Sequence, residues 1–189
     1  TFNNCLLADL NRDPHAVYIY SSNRDAWSHA AQFEATVDII EDMSLTVAYR
    51  YTDVKVDYGQ GAVLKPLTSR SKGLFSLDYR PMMGLWQFDV TYSITGGGKM
   101  PANYMLPDGR ESWSDSYNAF GTLNAQVTRN FRNWSVYLGG ENLTGYKQKN
   151  PIIDAHNPRG NDFDATMIYG PLHGAMVYVG FRYNITKYL

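Results

Sequence analysis

Strict alternation of apolar and polar residues recurs along almost the whole chain, and it leaves little room for anything but β-strands. Leu85–Thr95 is the cleanest case. Trp86, Phe88, Val90, Tyr92 and Ile94 alternate with Gln87, Asp89, Thr91, Ser93 and Thr95, which describes a strand with one apolar and one polar face. The same period runs through Trp27–Ile40, Leu45–Tyr51, Ser71–Arg80, Tyr117–Arg129, Trp134–Glu141 and His173–Ile185. Phe2–Leu10 is a weaker eighth candidate. In Tyr117–Arg129 the period places Tyr117, Ala119, Leu123, Ala125 and Val127 together. Beyond Tyr51 the parity reverses at Val54 and Val56, which predicts a bulge or the end of lipid contact. No segment carries a helical period.

The links between these strands alternate in length. Glu41–Met43, Pro81–Gly84 and Asn130–Asn133 read as tight turns, whereas Asn11–Ala26, Tyr58–Arg70, Gly96–Ser116 and Asn142–Leu172 are long. Short turns at one end and long loops at the other are the pattern of an up-and-down barrel in an outer membrane. A soluble sandwich with Greek-key crossings mixes the two ends. With short turns periplasmic, the long loops are extracellular and the C-terminus is periplasmic. Apolar faces almost free of charge fit lipid contact, where a mid-bilayer charge costs ~2–4 kcal/mol. The expected fold is therefore all-β: a transmembrane antiparallel up-and-down barrel with about eight strands in this chain.

Composition agrees. Tyr is abundant at 15 copies, with 8 Phe and 4 Trp, and amphipathic rings suit membrane interfaces. Trp86 and Trp134 follow short turns, and with Tyr92, Phe181 and Tyr183 they are the candidate girdle. A net charge of -1 excludes the basic excess of a nucleic-acid binder. Cys5 is the single cysteine, so no disulfide framework exists. The chain opens at Thr1 without a signal peptide, as a mature chain or a fragment does.

No catalytic motif is present, and neither enzymatic chemistry nor a cofactor is expected. His15, His29, His156 and His173 lack zinc spacing. Asp154, His156, Asp162, Asp164 and His173 fall within or beside one long loop, either as a metal or ferric-chelate site or, more simply, as solvated polarity with an Asx-type turn. Gly96-Gly97-Gly98 precedes no helix and is no phosphate loop. Three Asn-X-Ser/Thr sequons, at Asn133, Asn142 and Asn184, carry no meaning in a bacterial barrel. Long loops carry binding in this architecture, so Tyr104, Trp113, Tyr146, Lys147, Gln148, Asp154, His156 and Arg159 are the candidate ligand contacts.

Several stretches resemble the C-terminal end of TonB-dependent outer-membrane receptors of the kind abundant in Bacteroidetes. They are Lys65–Arg70 with Lys72-Gly73, Trp86–Asp89, Gly96–Pro101, Leu123–Thr128, Glu141–Leu143, Tyr146–Gln148, Asn150–Asp154, Asn161–Met167 and Gly170–Gly174. The final strand, Tyr178–Ile185, resembles the signal read by barrel-assembly machinery. The resemblance implies that residues 1–189 are the last third of a 22-stranded barrel, without its plug or TonB box. It implies import of a scarce nutrient, such as a ferric siderophore, haem, cobalamin or oligosaccharide. Implied partners are outer-membrane lipid, the remaining barrel and plug, TonB through the missing N-terminal part, and a surface lipoprotein. The alternatives are a self-contained eight-stranded barrel (an anchor, adhesin or small channel) and a soluble all-β module.

Overall fold

The computed structural model describes residues 5–13, 16–22, 26–59 and 61–185. All regular elements are strands: β1 (Cys5–Asp13), β2 (Ala16–Ser22), β3 (Ala26–Ile40), β4 (Met43–Asp57), β5 (Ala62–Leu64), β6 (Ser71–Tyr79), β7 (Trp86–Thr95), β8 (Gly98–Lys99), β9 (Ser116–Tyr117), β10 (Phe120–Asn130), β11 (Trp134–Glu141) and β12 (Met176–Tyr183). The main sheet is an antiparallel meander in the order β12-β11-β10-β7-β6-β4-β3, with β5 added on β4. Each long strand pairs with its sequence neighbour, so tight turns gather at one end and long loops at the other.

Register converts each strand's alternation into two continuous faces. Val37, Leu45, Leu77, Val90, Ala125, Gly140 and Val177 are successive cross-strand partners and form one unbroken apolar row. Val37, Val90 and Val177 are exposed. The next row, on the opposite face, is Thr36, Thr46, Ser76, Thr91 and Asn124. Its hydroxyls pair across strands, at 2.9 Å for Thr36–Thr46 and 2.9 Å for Ser76–Thr91. A large apolar face left bare, backed by a hydrogen-bonded polar one, inverts the usual soluble arrangement. Trp86 to Ile94 spans about 26 Å along the strand, and tilt brings that near the thickness of a barrel's apolar band.

The tight turns are tied sideways. Arg80 N–H donates to Asp42 O at 2.8 Å, Asn130 N–H to Leu85 O at 2.8 Å, and Asn184 N–H to Asn133 O at 2.8 Å.

Three expectations change. Asn11–Ala26 is not a bare link: β1 and β2 pair with each other in a separate two-stranded sheet, and neither joins the main one. Phe2 and Asn4 lie outside the described residues. In β1 it is Leu7 that is buried, packed against Ala26 and Val56, whereas Leu6 is exposed. There is no bulge at Val54 either. The β3–β4 register is continuous from Ala26↔Val56 down to Asp38↔Ser44, and its one irregularity lies between Asp38 and Ile40. Parity reverses because Val56 faces the polar side, where the β1 hairpin covers it. Finally, Tyr117–Arg129 is two elements, β9 and β10, and Tyr117 is buried among the loops rather than aligned with Leu123.

Among the described residues no pairing joins β12 to β3, so the sheet is open at both edges. A self-contained barrel requires that pairing.

Candidate functional site

Two regions gather the functional candidates: the loops at one end of the sheet and a group of aromatic side chains at the other. Three long loops share a small apolar core in which Met100, Tyr117 and Met167 are buried, with Leu67, Trp113 and Tyr169 packed around them. Tyr117 stacks on Tyr169 at 4.3 Å, and Tyr146 on Phe120 at 4.5 Å. The loops are thus folded pieces with their own packing.

Two buried amides fasten them. Gln148 donates to Met167 O at 2.8 Å and accepts from Tyr169 N–H at 2.9 Å and Gly170 N–H at 3.2 Å. Asn142, in a left-handed conformation at φ 49°, donates to Tyr146 O at 2.7 Å and His173 O at 2.8 Å. Beside it, Thr144 Oγ1 donates to Gly121 O at 2.9 Å, knotting the loop onto β10.

The eight loop candidates separate accordingly. Tyr104 and Trp113 meet edge to face at 5.6 Å, and the Trp113 indole N–H donates to Pro101 O at 2.9 Å. Tyr104 Oη donates to Asp162 O at 3.4 Å, which links two loops. Burial, then the negative fields of Asp162, Asp164 and Asp154, pushes its phenol pKa up. Tyr146 and Gln148 are engaged within the loop core. Asp154, half-buried, turns the chain at φ 47°. Lys147, His156 and Arg159 are exposed. Asp164 Oδ1 accepts from Thr166 N–H and Oγ1, each at 2.7 Å, an Asx turn. Among the described residues no three His, Cys, Asp or Glu side chains are placed to hold a metal.

A cavity of about 1070 Å³ lies between the β1–β2 hairpin and the loops, lined by Arg12, Tyr18, Tyr58, Lys99, Met100 and Asp115 among others. None of the eight candidates lines it. Lys99 leaves the Gly96–Gly98 run, and Arg12 lies over the Tyr18 ring at 4.6 Å. Arg12 stands in no motif, and Lys99 stands only in the Gly96–Pro101 stretch that carries the family resemblance, which assigns it no role.

At the tight-turn end, Trp134 stacks on Phe131 at 3.8 Å and lies 5.7 Å from Phe181, and Tyr183 is the partner of Trp134 in the register. Trp86 stacks on Phe88 at 6.1 Å, and the Arg129 guanidinium lies over Trp86 at 4.7 Å. Four of the five expected girdle aromatics therefore lie at this end. Tyr92 does not: it sits about 20 Å farther along β7, its ring over Gly121.

No protein-family model and no curated protein sequence matches the chain. Among solved structures, the crystal structure of the ferric citrate transporter FecA in its unliganded form matches with a TM-score of 0.54 at 19% identity. The match covers 74% of this chain and 21% of that one, so the chain spans about a fifth of the transporter's length. What the two share is the fold: an antiparallel β architecture of the kind that builds a transporter barrel.

Proposed function

We propose that the chain is part of the wall of a TonB-dependent outer-membrane transporter that imports a scarce nutrient, with its long loops outside and its C-terminus in the periplasm. The observation that carries this is the apolar row running from Val37 to Val177, exposed at Val37, Val90 and Val177 and backed by a polar face. Fold likeness to a ferric citrate transporter supports it, as does the sequence resemblance to such receptors, strongest from Arg70 to the end. The chain then supplies wall, rim and lumen lining, and performs no covalent chemistry. Its partners are outer-membrane lipid, the rest of the barrel and its plug, TonB through that plug segment, the barrel-assembly machinery and a surface lipoprotein. Loop aromatics and polar groups, Tyr104, Trp113, Tyr146, Lys147, Gln148, Asp154, His156 and Arg159, contribute to capture either directly or by shaping the loops. A self-contained eight-stranded barrel is disfavoured by the open β3 and β12 edges.

The test is uptake by cells carrying the complete receptor. Accumulation of a labelled ferric siderophore, haem, cobalamin or oligosaccharide should depend on the receptor and stop when TonB is removed. Receptor-dependent uptake that persists without TonB would contradict energised transport and favour a passive channel.

A further inference from the structure

Arg129 stands where a cation is least expected, on the apolar face. Its cross-strand partners are Trp86 and Val136, and its own strand continues along that face through Val127 and Ala125. The guanidinium lies 4.7 Å from the Trp86 ring centre and 5.6 Å from that of Phe131. Rings cover a guanidinium's flat faces and leave its N–H edges free to donate. Among the described residues no carboxylate forms an ion pair with it. A cation facing lipid is costly at the centre of the bilayer and nearly free at its edge, so Arg129 marks the level of the interface. Aromatic rings of this kind settle at the same level, where the nearest anions are lipid phosphates.

We infer that Arg129, flanked by Trp86 and by Phe131 with Trp134 stacked on it, binds the phosphate of a membrane phospholipid in the leaflet reached by the tight turns. This rests on the membrane reading above. The rings fix the guanidinium in advance and also pack against the lipid's glycerol and upper acyl carbons. Free phosphate lacks those carbons and should bind far more weakly.

The complete receptor, extracted in detergent, is titrated with dimyristoyl phosphatidylglycerol, with dimyristoyl glycerol and with inorganic phosphate, and bound molecules are counted by native mass spectrometry. Phosphatidylglycerol should bind the wild type and bind Arg129→Gln about fivefold more weakly, with Arg129→Lys between them and Arg132→Gln unchanged. Equal retention by wild type and Arg129→Gln would overturn the site, as would equal binding of dimyristoyl glycerol. Inorganic phosphate binding as tightly as the lipid would make it a plain anion site and overturn the lipid assignment. If Arg129→Gln does not fold, the same comparison with Arg129→Lys decides. Failure of the wild-type receptor to reach the outer membrane would sink the membrane reading itself, whereas insertion without Arg129-dependent lipid sinks this inference alone.

Discussion

Gly139 and Gly180 lie beneath the rings of Tyr178 and Tyr137 on the polar face, and a Cβ at either glycine would collide with the ring above it. Tyr178 Oη also donates to Gln126 Oε1 at 3.0 Å, which fixes its ring across β11. Gly180→Ala should therefore destabilise the folded sheet by ~1–3 kcal/mol, the usual cost of overpacking. Adding Tyr137→Ala should remove most of the Gly180→Ala effect, and urea unfolding of the four variants in detergent measures the coupling. Additive losses would contradict the ring-on-glycine account. Gln148 gives a second case. Gln148→Leu strips partners from Met167 O, Tyr169 N–H and Gly170 N–H, each buried group left unsatisfied costing ~1–3 kcal/mol. Limited proteolysis should then cut the 142–172 loop faster, and an unchanged cutting rate would count against the clip. Neither feature was legible as residues: a glycine within an alternating strand looks like a gap, and Gln148 reads as a candidate ligand contact rather than as a clip within the loop.

The elements divide into those of the long alternating sheet and those that loop packing organises. Wherever a bare apolar face backs a polar one, alternation located the strand; β7 begins one residue after the predicted Leu85 and ends on the same Thr95. Away from that two-faced sheet, alternation loses its reason. β4 continues to Asp57 with its apolar side chains on the polar face, β1 and β2 pair with each other, and the Met100–Tyr117–Met167 core has no period to read. The turn between β6 and β7 shows a different constraint. Met82 and Met83 take φ 58° and 55°, a left-handed conformation costing ordinary side chains ~1–2 kcal/mol, and Met83 is fully exposed. Met83→Gly should raise stability by up to ~1 kcal/mol in thermal unfolding, and a loss would show that the methionine is held by something outside the turn. Among the loop phenols, burial raises the pKa of Tyr117, and burial with neighbouring Tyr146 raises that of Tyr169. A raised pKa means the folded loops hold the proton more tightly. Their stabilisation is intact below the ordinary phenol value of ~10 and is lost as pH rises through the folded value. Protease nicking of the loops should therefore accelerate only above about pH 10, and acceleration already near neutrality would contradict it.

In the proposed transporter wall, one face of the whole meander meets lipid and the other a polar interior. Direction, strand order and the segregation of turns from loops were legible because a period of two and alternating link lengths together specify an up-and-down sheet. The open edges were not, because pairing between distant strands leaves no local trace. Spin labels placed singly from Trp86 to Thr95, in a Cys5→Ser background of the complete receptor in liposomes, read the claim directly. Oxygen collision should peak at positions 88, 90, 92 and 94, and a water-soluble nickel complex should favour 87, 89, 91 and 93. Uniform access of the nickel complex to both sets, or loss of the two-residue period, would contradict a lipid-facing wall.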